Sequence, residues 1–163
     1  MINKKNLKIF LLNSLVVLII FLADRITKIY IIKLAEVENN FDIYVTSYLN
    51  FYLVWNQGIS FGLFSTNESY AYGILSLIIS IIIIIVLIMA IKEPNNFKKY
   101  SLLLILGGAL GNLFDRVNYY AVPDFIDFHI QNFHWFIFNV ADIFISIGVI
   151  CLIFAEIFFK NKD

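Results

Sequence analysis

Charge is scarce in this sequence. Of 163 residues only 15% are Asp, Glu, Lys or Arg, while 61% are hydrophobic and 17% aromatic. The mean hydropathy of +0.84 lies far outside the range of a soluble domain and marks an integral membrane protein. Twelve basic and twelve acidic residues cancel, so net charge offers nothing to nucleic acid or to an acidic partner. A single cysteine, Cys151, excludes an internal disulfide framework, and its place in an apolar run reads as a small buried hydrophobe. No linker, low-complexity tract or repeat divides the chain, which reads as one domain over residues 1–163. G-x-S-x-G, H-E-x-x-H and phosphate-loop patterns are missing too, which leaves serine, zinc-protease and nucleotide chemistry without a starting point.

What is abundant is long apolar runs. Measured by the roughly 20 residues a spanning helix needs, four segments qualify, at about 7–23, 70–91, 100–116 and 135–157. The first follows the basic "MINKKNLK", but "FLADRITK" offers no small-residue cleavage site, so it is expected to be a retained span. The apolar part of the third, Tyr100 to Phe114, covers only about 22 Å at ~1.5 Å per residue. Its helix is therefore expected to continue through "DRV" and carry Asp115 and Arg116 to the membrane boundary. Lys4, Lys5 and Lys8, then Lys92, Lys98 and Lys99, then Lys160 and Lys162 place eight of the twelve basic residues on one side. That side is expected to be cytoplasmic, with both termini inside and the long segments 24–69 and 117–134 outside.

The first outer segment, about 40–64, is rich in β-branched and aromatic residues, with alternation through Phe41, Ile43 and Val45 and again through Leu49, Phe51, Leu53 and Trp55. It predicts a small strand pair on the outer membrane surface, followed by a glycine-bearing turn at "NQGISFG". The fold class is thus α-helical and integral to the membrane, with four transmembrane helices and a small extracytoplasmic β-rich cradle between helices 1 and 2.

Ionisable groups within or beside spans cost at least ~2.5 kcal/mol each on insertion scales, so each needs a reason. Here they cluster toward the outer leaflet. Asp24 and Lys28 stand at i,i+4 at the expected end of span one, and Asn112 and Arg116 share a face at the end of span three. Asn139 and Asp142 stand at i,i+3 at the start of span four. Asp24 with Lys28, and Asp115 with Arg116, read as interfacial ion pairs; Glu156 reads as pairing with Lys160. Asp142 has no cation within a helical turn, so its partner must lie across the bundle. "VPDFIDFHI" supplies a second carboxylate, Asp124 or Asp127, and two nearby carboxylates sharing a proton are the arrangement of an aspartic protease. Asp127, His129 and His134 could also be imagined as a metal site, but fit no strong ligand pattern and read more simply as solvated loop residues. Buried aspartates suit a small proton-coupled transporter as well, although the inner halves of the spans are almost unbroken Ile, Leu, Val and Phe. A purely structural protein has no evident need of Asp142.

The chain resembles the lipoprotein signal peptidases (signal peptidase II), four-span bacterial inner-membrane aspartyl proteases. The resemblance covers nearly the whole chain and rests on five blocks in order: "DRITK" (Asp24–Lys28), "NQGISFG" (Asn56–Gly62), "GGALGNLFDRV" (Gly107–Val117), "VPDF" (Val122–Phe125) and "FNVAD" (Phe138–Asp142). It implies Asp124 and Asp142 as the catalytic pair, choosing Asp124 over Asp127. It also implies supporting or substrate-orienting roles for Asn56, Gly108, Asn112, Arg116 and Asn139, with Asp24 and Lys28 behind them. The implied substrate is a diacylglyceryl-modified prolipoprotein, cut just before its lipid-modified cysteine by a monomer in the bacterial inner membrane. The active site would face the outer leaflet, in contact with lipid, without metal or other cofactor. The segment around Tyr44 to Phe64 would then be a cradle or lid. Pro123 stands where the family often has a second valine, and Ile143 where it often has serine.

Overall fold

The computed structural model describes residues 4–37, 42–58, 68–131 and 133–158. Residues 40–41 and 59–64 of the expected cradle, including most of "NQGISFG", lie outside these, as do Lys160 and Lys162. Four helices, α1 (Lys4–Val37), α2 (Glu68–Lys92), α3 (Asn96–Tyr119) and α4 (Val140–Phe158), accompany four strands, β1 (Asp42–Thr46), β2 (Leu49–Asn56), β3 (Val122–Ile130) and β4 (Phe133–Phe138). Three helical stretches, Lys4–Val37, Tyr72–Lys92 and Val140–Phe158, are long and apolar enough to cross a membrane. α3 carries more charge, and it packs against all three of the others. A central helix meets protein instead of lipid, so its polar residues face partners instead of hydrocarbon.

Helix α1 differs most from the expected span. It does not stop near Ala23 but runs 34 residues, about 51 Å at ~1.5 Å per residue. Neither glycine nor proline occurs before Gly58, so nothing in "DRITKIYIIKLAEV" breaks the helix. Its outer extension has a purpose in packing: Ile31, Leu34 and Ala35 share one face and bury against Phe125, Phe51, Leu53 and Ile43 of the sheet. Asp24 and Lys28 therefore lie inside a continuous helix, both fully buried, and are not end anchors.

The second outer segment is no loop. Residues 122–138 form a β-hairpin, and the sheet is antiparallel throughout in the order β1-β2-β3-β4. The cradle thus takes two strands from between α1 and α2 and two from between α3 and α4. Trp135 belongs to β4, and α4 begins only at Val140. Asp127 and His129 correspondingly sit buried on β3, a correction to their reading as solvated.

At the end of the bundle away from the sheet, Leu102, Leu103 and Leu106 of α3 pack with Ile83 and Ala90 of α2 and with Val16 and Val17 of α1. Asn95 caps α3, its side chain accepting from the Lys98 amide at 3.1 Å. Glu156 pairs with Lys98 across α3 and α4 at 2.6 Å; Lys160, its expected partner, lies outside the described residues. Glycines set the approach of the helices. A Cβ on Gly107 would stand 2.8 Å from Ile20 of α1, and one on Gly108 would stand 2.5 Å from the Ala141 carbonyl of α4. By contrast, a Cβ on Gly73 would meet nothing within 4 Å.

Gly108→Ala is accordingly expected to destabilise the detergent-solubilised protein by about 1–3 kcal/mol through backbone displacement. Gly73→Ala should be neutral or stabilising by up to about 1 kcal/mol. Thermal melts of the two variants beside the parent test the contrast.

Candidate active site

Three elements converge where α1, α3 and the sheet meet the start of α4. The chain enters α4 through Asn139, whose side-chain Oδ1 accepts from the Asp142 amide at 3.1 Å, while Asp142 Oδ2 accepts from the Asn139 amide at 3.1 Å. This reciprocal pair is a capping box, an N-cap residue and the third helical residue each satisfying the other's backbone. The i,i+3 spacing of Asn139 and Asp142 therefore reflects a helix start, not a shared face of a span. The intervening Ala141 amide is satisfied by Asp24 Oδ1 from α1 at 3.0 Å. Three of the donors that a helix N-terminus leaves open are thus taken by Asp142, Asn139 and Asp24.

Asn139 also joins the two candidate carboxylates. Its Nδ2 donates to Asp124 Oδ1 at 2.5 Å while its backbone amide holds Asp142. On the other side of Asp124, Asn56 at the end of β2 donates from Nδ2 to Oδ2 at 2.8 Å. Its own Oδ1 accepts from the Gly58 amide at 2.7 Å, closing a turn in which Gly58 has φ +82°. Asp142 Oδ1 accepts from Asn112 Nδ2 at 2.8 Å, and Asn112 Oδ1 accepts from the Lys28 ammonium at 2.9 Å.

Lys28 completes its three donors on Asp24 Oδ1 at 2.9 Å and Asp115 Oδ2 at 2.7 Å. Arg25 grips Asp115 with both terminal nitrogens, at 2.5 and 2.7 Å, reaches Asp24 at 3.0 Å, and lies over the Phe114 ring at 4.9 Å. Asp115 thus pairs with α1, not with its neighbour Arg116, which corrects the interfacial reading of that pair. Arg116 has no carboxylate partner among the described residues; its Nη1 donates to the Asn112 carbonyl at 3.3 Å.

Burial pushes the Asp124 carboxyl up to about 6. The Asn56 and Asn139 amides and the Lys28 charge oppose this rise, and the neighbouring Asp142 charge adds to it. A site of four carboxylates (Asp24, Asp115, Asp124, Asp142) and three cations (Arg25, Lys28, Arg116) becomes neutral when Asp124 and Asp142 together hold one proton.

The structure brings Asp124, Asp142, Asn56, Asn112, Asn139, Asp24 and Lys28 into one hydrogen-bonded chain. Gly108 sits behind it at the contact of α3 with α4, and Arg116 sits beside it. Asp127 stays apart, hydrogen-bonded to His134 instead. Arg25 is the residue that sequence reasoning missed. It follows Asp24 by one position, so helical spacing gave it no shared face, and only the arrival of α3 supplies Asp115. A separate apolar cavity of about 730 Å³ between α1, α2 and α3, lined by Phe10, Val17, Ile83 and Phe114 among others, includes none of the site's carboxylates.

A family model described as signal peptidase (SPase) II matches residues 16–158. A lipoprotein signal peptidase of Pelagibacter ubique (strain HTCC1062) is 55% identical over 160 residues, 98% of this chain and 96% of that one. One of Anaplasma phagocytophilum (strain HZ) is 40% identical over 149 residues, 90% of this chain and 92% of its own length. Two solved structures described as bacterial membrane enzymes superpose with TM-scores of 0.71 and 0.74, each at 31% identity. They cover 93% and 90% of this chain and 92% of their own lengths.

Removing one partner from the buried charge network leaves the others uncompensated. Lys28→Met is therefore expected to destabilise the protein by about 3–5 kcal/mol. Adding Asp115→Asn should recover a large part of that loss. A double-mutant cycle measured by denaturation in detergent checks both.

Proposed function

The chain belongs to the signal peptidase II family, and we propose that it removes the signal peptide from diacylglyceryl-modified prolipoproteins as an aspartyl endopeptidase with Asp124 and Asp142 as its catalytic pair. The bond cut is the peptide bond on the N-terminal side of the lipid-modified cysteine. The observation that carries this reading is Asn139, which holds Asp124 through its side chain and Asp142 through its backbone amide. One residue thereby fixes two carboxylates toward a common space, with different protonation environments.

Asp124, buried and pushed up to about 6, is the member that carries the proton. Asp142, half-buried in the first turn of α4, accepts on its carboxylate from the Asn112 side-chain amide and the Asn139 backbone N–H, and is the member that acts as base. Asp142 takes a proton from a water molecule as the water oxygen bonds to the scissile carbonyl carbon. The Asp124 proton meets the developing oxyanion. Collapse of the tetrahedral intermediate breaks the C–N bond, and the cysteine nitrogen leaves with a proton from the pair. Arg116, without a carboxylate partner among the described residues, would orient the substrate backbone through its guanidinium donors.

The surroundings suit a lipid-anchored substrate. Tyr44, Tyr48, Tyr52, Trp55, Phe128, Phe133 and Phe136 are exposed on the sheet, as befits a cradle resting at headgroup level. The lysine distribution puts the termini in the cytoplasm and the site at the outer leaflet of the inner membrane, where acyl chains remain in lipid while the peptide reaches the carboxylates. The sheet and the turn after Asn56 form the cradle that limits bulk water, in a monomer. Proton transport is disfavoured by the end of the bundle away from the sheet, where Leu102, Leu103, Leu106, Ile83 and Ala90 form an apolar core without a proton-carrying side chain among them.

Asp124→Asn and Asp142→Asn are each expected to lower kcat/KM by about 10²- to 10⁴-fold, measured with purified protein and a diacylglyceryl-modified peptide. Full activity in either variant would sink the pair. Because the Asp124 proton is needed and its pKa stands at about 6, kcat/KM should fall as pH rises through that value. A rate unchanged from weakly acidic to weakly alkaline pH would contradict the assignment of the proton.

A further inference from the structure

One cluster of ligating side chains lies outside the catalytic arrangement. Asp127 and His129 stand two residues apart on β3 and so share a face of its pleat. On the other strand of the hairpin the register steps by one residue between the pairs Phe128 with Phe136 and His129 with His134. That extra residue in β4 brings His134 opposite His129, the re-aiming of a side chain that bulges produce. The ligand atoms of Asp127, His129 and His134 all lie within 4.8 Å of one another. His134 Nδ1 is 2.8 Å from Asp127 Oδ2, His129 Nδ1 is 3.6 Å from the same oxygen, and the two imidazoles stack at 5.1 Å. Two ligands bound to one zinc-sized ion stand about 3.3 Å apart, which these separations bracket.

Two orphaned atoms point the same way. His129 is 8% exposed, and its Nδ1 is buried without a hydrogen-bond partner. Asn50 on β2 pairs directly with Asp127 across the strands, and its Oδ1 is likewise buried and unpartnered. Buried nitrogen and oxygen acceptors without donors are costly unless something positive meets them. His134, with 55% of its side chain exposed, opens the cluster to solvent.

We propose that this face of the outer sheet binds one divalent transition-metal ion of the zinc class through Asp127, His129 and His134, with the Asn50 amide oxygen as a further donor. Two imidazole nitrogens with carboxylate and amide oxygens form a donor set for zinc. The ion takes no part in peptide cleavage. Its partners are disjoint from those of Asp124, which leaves β3 three residues earlier, on the opposite side of the pleat. It clips the β3–β4 hairpin, whose two ends deliver Asp124 and Asn139 to the site.

The test uses the full chain, tag removed, in detergent and stripped with chelator, titrated with Zn²⁺ in a calorimeter. One equivalent should bind to the parent, with affinity at least about 10-fold weaker after His134→Gln, a half-exposed position that the fold tolerates. Zn²⁺ should also slow amide exchange in residues 122–138 of the parent and not of the variant. Absence of zinc uptake by the parent, or unchanged stoichiometry and affinity in His134→Gln, overturns the proposal.

Discussion

The Lys28 ammonium is the contact on which the rest of the site depends. Fully buried, it spends its three donors on Asp24 of its own helix and on Asn112 and Asp115 of α3. A lone ammonium there would carry a desolvation cost of several kcal/mol, so α1 and α3 must dock in one register for it to be met. Docking in that register aims Asp24 at the Ala141 amide and turns Asn112 so that its nitrogen, not its oxygen, faces Asp142. Helix position, amide orientation and carboxylate placement thus follow from one cation.

Such a network is poor value for stability alone, since packed hydrocarbon of the same volume often serves as well. Its use is positional. Asp142 is at once the third helical residue, closing the capping box, and the proposed base, so any motion of the base must break the helix start. Asp124 is carried instead by a strand, in register with β2 and held between two amides. Carboxylates on a helix terminus and a central strand are set more rigidly than groups on free loops.

The same economy explains the distribution of positive charge. Eight lysines fall in the segments that the sequence predicts to share one side of the membrane, and of the four remaining basic residues Arg25, Lys28 and Arg116 lie in the site. They oppose four carboxylates, so one shared proton balances the region. Surplus charge is penalised beside apolar spans, and that penalty suits the singly protonated pair of the proposed mechanism.

Much of this was legible in the sequence. Apolar runs far longer than a strand specify helices because lipid leaves the backbone no other partner, and polar residues inside them stand out by their cost. Blocks such as "GGALGNLFDRV" and "FNVAD" carried the family and with it the choice of Asp124 over Asp127. Three things needed the tertiary structure. The length of α1 was hidden because "ITKIYIIK" is too polar for a span, yet helical once the sheet covers Ile31 and Leu34. The β3–β4 hairpin was hidden because its partner strand, β2, lies 66 residues or more away along the chain for every pair in their register. The partners of Asp115 were hidden because local spacing pointed to Arg116, while the short, charge-assisted contacts came from Arg25 and Lys28 on another helix. Sequence by itself determined which groups are too expensive to be idle; only the packing of α1, α3 and α4 decided which of them meet, because hydrogen bonds and ion pairs act over a few ångströms and chain neighbours are not space neighbours.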